Sequence, residues 1–147
     1  GTPRSCTANF ILGHSPKRVL DIELAPDSLR LINPENGVLA HANHLMDPKK
    51  TGVSEPENPR RHLSEFRHKR MEELLNEQKP LNVEAMQEIL KDHEHQPQSL
   101  CRHRDDTLPS SQHTITKTAM IMDLEERKMW VTDGQPCNAE FEEYSLN

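Results

Sequence analysis

Five aromatic side chains, Phe10, Phe66, Trp130, Phe141 and Tyr144, are all that this 147-residue chain offers for filling a core. Each buries roughly 150–250 Å², so five leave an independent core of this length thin. Aliphatic residues do not close the gap: 33% of the chain is hydrophobic, against about 45–50% in typical usage. Eleven prolines and 29% charged residues push the same way. Length alone fits one domain. The chain is therefore either partly unfolded or one part of a larger domain that shares its apolar surface. Its regular segments favour the second reading.

The net charge is −6, from 18 basic and 24 acidic residues, and the basic ones are scattered. Nucleic acid is not an expected partner, because phosphate neutralisation needs a basic face. No apolar run approaches a membrane span, so no membrane partner is expected either. The start, Gly1-Thr2-Pro3-Arg4-Ser5-Cys6, has no signal pattern and no initiator Met, and reads as a cut end. Cys6, Cys101 and Cys137 are odd in number and lack C-x-x-C spacing. They suit a reducing, intracellular compartment, cytoplasmic or peroxisomal, better than a disulfide framework.

The first forty residues read as a meander of short strands. Ala8–Leu12 precedes a turn at Gly13-His14-Ser15-Pro16, and Arg18–Leu24 alternates apolar and polar residues, the period-2 signature of a half-buried strand. A third strand is expected within residues 28–33, then a turn at Pro34-Glu35-Asn36-Gly37 and extended chain from Val38 to His41. Residues 47–61 hold three prolines and read as a loop. Ser64 is expected to cap a helix running to about Gln78, with Phe66, Arg70, Met71, Leu74 and Leu75 on one largely apolar face. Lys79-Pro80 ends it, and Asn82 can cap a second helix from Val83 to about His93. The short link predicts an antiparallel helical hairpin. Residues 95–112 read as a polar loop. A closing β-hairpin pairs Thr114–Asp123 with Lys128–Thr132 around a charged turn, and Asp133-Gly134 stops it. Strands, two helices, then strands make an α+β chain.

The most informative string is Gly37-Val38-Leu39-Ala40-His41-Ala42-Asn43-His44-Leu45. It resembles the "G-x-L-x-H-T-N-H-F" segment of the penicillin acyltransferase-like family, the acyl-coenzyme A:6-aminopenicillanic acid acyltransferases and related amide hydrolases. Further segments follow in the family's order. Ser5–Ile11 with Asp21-Ile22-Glu23 resembles its "S-x-N-[FY]-[LM] … D-I-E" pair. Ser64-Glu65-Phe66-Arg67 resembles "S-x-x-R", and Asp92-His93 with Ser99–His103 resembles "D-H … S-I-C-R-H". Residues 116–123, Trp130 and Gly134-Gln135-Pro136-Cys137 resemble the closing hairpin and "G-x-P-C". The likeness covers nearly the whole chain. Ala42 stands where Thr is usual and Leu45 where an aromatic is usual, so packing against a substrate is expected to differ.

The resemblance implies the carboxy-terminal half of an N-terminal-nucleophile (Ntn) hydrolase: part of a four-layer αββα sandwich, residues 1–147 forming one partial domain. Family members use a cysteine exposed at a new N-terminus by autoproteolysis. Its α-amine, with a reference pKa of about 7.7–8.0, serves as general base. By resemblance Asn43 is the oxyanion donor, a side chain that donates without titrating; the bland reading is a cap at a strand end. His44 is expected beside Asn43, orienting it or meeting substrate. Arg102 is the candidate for holding a substrate carboxylate, with an ordinary loop arginine equally open. Arg67 is expected to be structural. The three cysteines are expected to be small buried hydrophobes, leaving no nucleophile in this chain.

His41, His44 and Asp47 would share a face only on a helix, while His93, His95 and His103 are loosely spaced without paired cysteines. No metal and no cofactor is therefore expected, although acyl-coenzyme A fits as a substrate. The implied partners are a missing amino-terminal half and a small amide or acyl thioester. The chain alone is expected to be inactive. The rival reading is a non-catalytic interaction domain that docks through the helical hairpin, whose apolar faces need a cover.

Overall fold

The computed structural model describes residues 7–14, 18–53 and 58–145. The chain divides into two compact units, Gly1–Glu72 and Glu73–Asn147.

In the first unit, β1 (Ala8–His14), β2 (Arg18–Leu24) and β3 (Leu29–Ile32) form an antiparallel meander in that order. The expected first turn lies partly outside the described residues. Phe10 pairs with Ile22 and Ile22 with Leu31, while Asn9 pairs with Glu23 and Glu23 with Arg30. Pleating therefore puts Phe10, Leu12, Leu20, Ile22, Leu29 and Leu31 on one face and Asn9, Asp21, Glu23 and Arg30 on the other. The alternation expected for β2 is present, but its sense is inverted. Asp21 and Glu23 are fully buried, whereas Phe10, Leu12, Leu29 and Leu31 are each more than half exposed.

Asn36 and Gly37 both take left-handed φ, 51° and 81°, and close a tight turn in which Glu35 and Val38 exchange two 2.9 Å backbone bonds. Asn-Gly suits such a turn because both residues tolerate positive φ. Beyond that bridge residues 39–42 join no strand. Part of the expected loop is a single helical turn, α1 (Pro48–Thr51): the Asp47 side chain accepts from Lys50 N, Pro48 stands in the first turn, and Gly52 ends it at φ 69°.

α2 (Arg61–Glu77) starts three residues before the expected Ser64 cap. The Asn58 carbonyl accepts from Arg61 N and the Asn58 side chain from Arg60 N, so that turn launches the helix. Ser64 is left inside it with its hydroxyl free for other use.

In the second unit, Asn82 caps α3 (Val83–Leu90) as expected, accepting from Ala85 N at 2.8 Å. Within this unit α3 packs against a strand, β4 (Met120–Asp123). β4 pairs with β5 (Lys128–Val131), and β5 with a further strand, β6 (Glu142–Ser145), that the sequence reading lacked. Residues 114–119 were expected to extend β4; Ala119 and Lys117 still accept from the Thr132 and Gly134 N–H groups at 3.0 and 2.9 Å, but the ladder bond from Ala119 N is missing. Thr132, 1% exposed, stands in for it: its Oγ1 accepts from Ala119 N and donates to Gly134 O, both at 2.8 Å. The buried apolar residues here are few: Leu75, Ile89, Cys101, Ala119 and Ile121. Met120, Met122 and Tyr144 share the opposite, exposed side of the sheet. Among the described residues the fold is α+β, as expected, with two small antiparallel sheets and three α-helices. No helix among the described residues is long and apolar enough to cross a membrane.

Candidate functional site

The polar face of the first sheet explains why β2 carries carboxylates where a core would be. A buried charge is tolerated only when paired and hydrogen-bonded, and Glu23 is. Its Oε1 takes the His41 Nε2 at 2.9 Å and the Met46 N–H at 2.5 Å, and its Oε2 lies 3.4 Å from Arg30 Nη1. Asp21 accepts from the Asn9 side-chain amide, and its other oxygen is 3.8 Å from His41 Nε2. Burial, the largest influence, pushes the Asp21 carboxyl above the usual range, against the pull of His41 and Asn9. The His41 Nδ1 faces the Ala42 carbonyl at 2.6 Å. Both ring nitrogens thus face oxygen acceptors, which fixes the plane of the ring.

These contacts pin both flanks of the Asn43 segment to the sheet. α2 pins its centre. Ser64 Oγ accepts the Asn43 backbone N–H at 2.8 Å and lies 2.8 Å from His44 Nδ1. One turn along, Arg67 Nη2 donates to Asn43 Oδ1 at 2.8 Å, while its Nη1 holds the Leu63 carbonyl at 2.9 Å. That guanidinium settles which end of the Asn43 carboxamide is oxygen, and among the described residues no acceptor takes the NH₂. Arg61 Nη2 holds the Leu45 carbonyl at 3.1 Å. His44 is buried, and its ring is kept below its ordinary pKa, first by burial and then by Arg61 and His68. It is the neutral partner of Ser64.

The segment walls a cleft of about 330 Å³ lined by residues 7–9 and 41–45. Asn43 is exposed at this cleft and His44 forms part of its wall. Arg67 is structural in the expected sense, with the addition that it orients Asn43. Arg102 belongs to the second unit. Its backbone N–H donates to Thr116 Oγ1 and its carbonyl accepts from Gln135 Nε2, both at 2.9 Å. The sequence reading gave Asn9, Asp21, Glu23 and Ser64 no site role, and His41 only that of an unfavoured metal ligand. The i,i+3 spacing of Ser64 and Arg67, which aims both at one spot from a helix, was the available signal.

Of the cysteines, Cys6 lies outside the described residues. Cys101 and Cys137, in the second unit, are free thiols with sulfurs 3.4 Å apart. Burial pushes the Cys101 thiol up to about 11, which leaves it a poor nucleophile near neutrality. His93 and His103 come together beside them, with Nε2 atoms 2.9 Å apart. Loose spacing argued against such a meeting. It arises because Cys101, Cys137 and both histidines are delivered by separate segments of the second unit.

No curated protein shows significant similarity to the chain. The sequence model of the acyl-coenzyme A:6-aminopenicillanic acid acyl-transferase family matches residues 1–138. Of the segments that carry the likeness, those around Asn9, Asp21 to Glu23, His41 to His44 and Ser64 to Arg67 are joined by hydrogen bonds in the first unit. With this match over most of its length, the chain belongs to the acyl-coenzyme A:6-aminopenicillanic acid acyl-transferase family.

Proposed function

We propose that this chain supplies the oxyanion-stabilising half of a cysteine Ntn amidohydrolase or acyltransferase, with Asn43 as the donor. The observation that carries the reading is the grip on Asn43: Ser64 holds its backbone and Arg67 its Oδ1, which leaves the NH₂ to donate beside the cleft. A donor fixed before charge develops loses no reorganisation energy during the reaction. A thiolate adds to the carbonyl carbon of an amide or thioester, and the oxyanion forms against the Asn43 NH₂. Collapse expels the amine or thiol and leaves an acyl-cysteine, which water or an acceptor amine then cleaves.

In this reading the nucleophile is a cysteine outside the described residues, as the family resemblance implies; the Cys101 thiol, pushed up to about 11 by burial, is poorly suited to the role. Two open apolar sheet faces support a partner half: Phe10, Leu12, Leu29 and Leu31 on one, Met120, Met122 and Tyr144 on the other. A four-layer sandwich covers such faces by stacking sheet on sheet.

The test compares the isolated chain with the same chain produced together with the polypeptide encoded upstream of Gly1. The isolated chain turns over neither amides nor acyl-coenzyme A, whereas the complete protein does. Asn43→Ala in the complete protein lowers kcat by about 10²–10³, as loss of one oxyanion donor does. Turnover by the isolated chain, or an Asn43→Ala enzyme of full activity, overturns the reading. A complete protein inert toward both substrate classes leaves the interaction-domain reading in its place.

A further inference from the structure

Four donor atoms converge in the second unit where the proposed reaction has no use for them. The ligating atoms of His93, Cys101, His103 and Cys137 all lie within 4.8 Å of one another. Cys101 Sγ is 3.4 Å from Cys137 Sγ and 3.8 Å from His103 Nε2. Cys137 Sγ is 3.4 Å from His103 Nε2, and the two Nε2 atoms are 2.9 Å apart. A tetrahedral zinc with bonds of about 2.3 Å to sulfur and about 2.0–2.1 Å to nitrogen sets the ideal edges: about 3.8 Å for S–S, about 3.6 Å for S–N and about 3.3 Å for N–N. Each measured edge lies within about half an ångström of its ideal. Small rotations of side chains close the difference.

The donor set is two sulfurs and two imidazoles with no carboxylate, which suits zinc rather than magnesium or calcium. We propose that His93, Cys101, His103 and Cys137 form a structural zinc site that staples three separate segments of the second unit together.

The frame around the quartet is built from the backbone. Cys101 N–H donates to Asp92 O at 3.0 Å, which fixes the knuckle against the stretch that carries His93. Ser99 Oγ donates to the Cys101 carbonyl at 2.5 Å, and His103 N–H donates to Pro97 O at 3.0 Å. The Cys137 turn closes through Asn138 N and Ala139 N on Gln135 O, both at 2.9 Å. Gln135 Nε2 reaches back to the Arg102 carbonyl between two of the ligands. Four protein ligands fill a tetrahedral shell and leave no open position, which makes the site structural rather than catalytic. The need is plain as well: few apolar residues are buried in this unit, and a small core gains folding free energy from a metal. A disulfide is the competing use of the two cysteines, but at 3.4 Å the sulfurs are far beyond bonding distance.

The full chain, purified without chelator under reducing conditions, carries one zinc per molecule by mass spectrometry of the metal. After chelation, Co²⁺ restores one equivalent with tetrahedral d–d bands and thiolate-to-cobalt charge transfer. Cys137→Ser loses about half of the charge-transfer intensity. His93→Gln changes an exposed side chain, so the metal-free protein keeps its circular dichroism. Its zinc affinity falls by more than the about 10–100-fold that loss of an outer-shell partner costs. Zinc raises Tm in the wild type and raises it less in Cys137→Ser, which keeps three of the four ligands. A chain that holds no zinc above the dialysis background, one that carries a Cys101–Cys137 disulfide as purified, or a His93→Gln variant with undiminished affinity would each overturn the proposal.

Discussion

Ser64 Oγ accepts the Asn43 N–H and lies 2.8 Å from His44 Nδ1, a contact that a neutral ring makes in either tautomer. Burial, Arg61 and His68 favour the neutral ring by holding the His44 pKa below its ordinary value of 6.5. In the unfolded chain the ring protonates near about pH 6.5. The folded state binds that proton only at lower pH, so the contribution of His44 to stability is complete above about pH 6.5 and is lost as pH falls through the folded value. Unfolding midpoints of the chain therefore fall from pH about 7.5 to about 5, with a slope from this one proton of at most about 1.4 kcal/mol per pH unit. His44→Gln removes that share of the slope, and an unchanged slope would show that the proton is taken up elsewhere. Asn43 and His44 stood out in the sequence because they lie in a motif. Their supports did not, because a hydroxyl inside a helix and a carboxylate on a strand have the same letters whether they face water or a cleft.

At the scale of elements, legibility depended on whether local signals decided the outcome. The Asn82 cap, the Asn36-Gly37 turn and the β4–β5 hairpin follow from short-range chemistry, and all were foreseen. β2 shows where that stops. Its period was clear, but which face is inside depends on whether His41, Arg30 and Asn9 arrive to neutralise Glu23 and Asp21. β6 was missed because Glu142-Glu143-Tyr144-Ser145 has one apolar side chain and becomes a strand only by pairing with β5. Thr132 shows a side chain replacing a ladder bond. Thr132→Val fills the same space, yet strands the Ala119 N–H in a buried setting. It destabilises the chain by about 1–3 kcal/mol, the cost of an unsatisfied buried donor. Chemical denaturation measures this, and a neutral Thr132→Val would mean that water reaches that N–H.

For the whole molecule, the scarcity of core residues was the most reliable feature of the sequence. It is visible in the structure as sheets with one apolar side open and, in the first unit, an interior lined by Asp21, Glu23, His44, Ser64 and His68. Leu29 and Leu31 are 58% and 53% exposed on such a side. Exposed apolar patches of this kind drive association, so the isolated chain self-associates in light scattering as concentration rises. Leu29→Thr with Leu31→Thr preserves β-propensity and shifts the population toward monomer; a wild-type chain that stays monomeric throughout would argue that these faces are covered in solution.

Ser64 and Arg67 sit one turn apart on α2 and take hold of opposite ends of the same residue, main chain and side chain. The asparagine is therefore indexed to the winding of that helix. A slip of one position, or fraying of that turn, frees both anchors in a single event, and the reactive geometry is kept whole or given up whole.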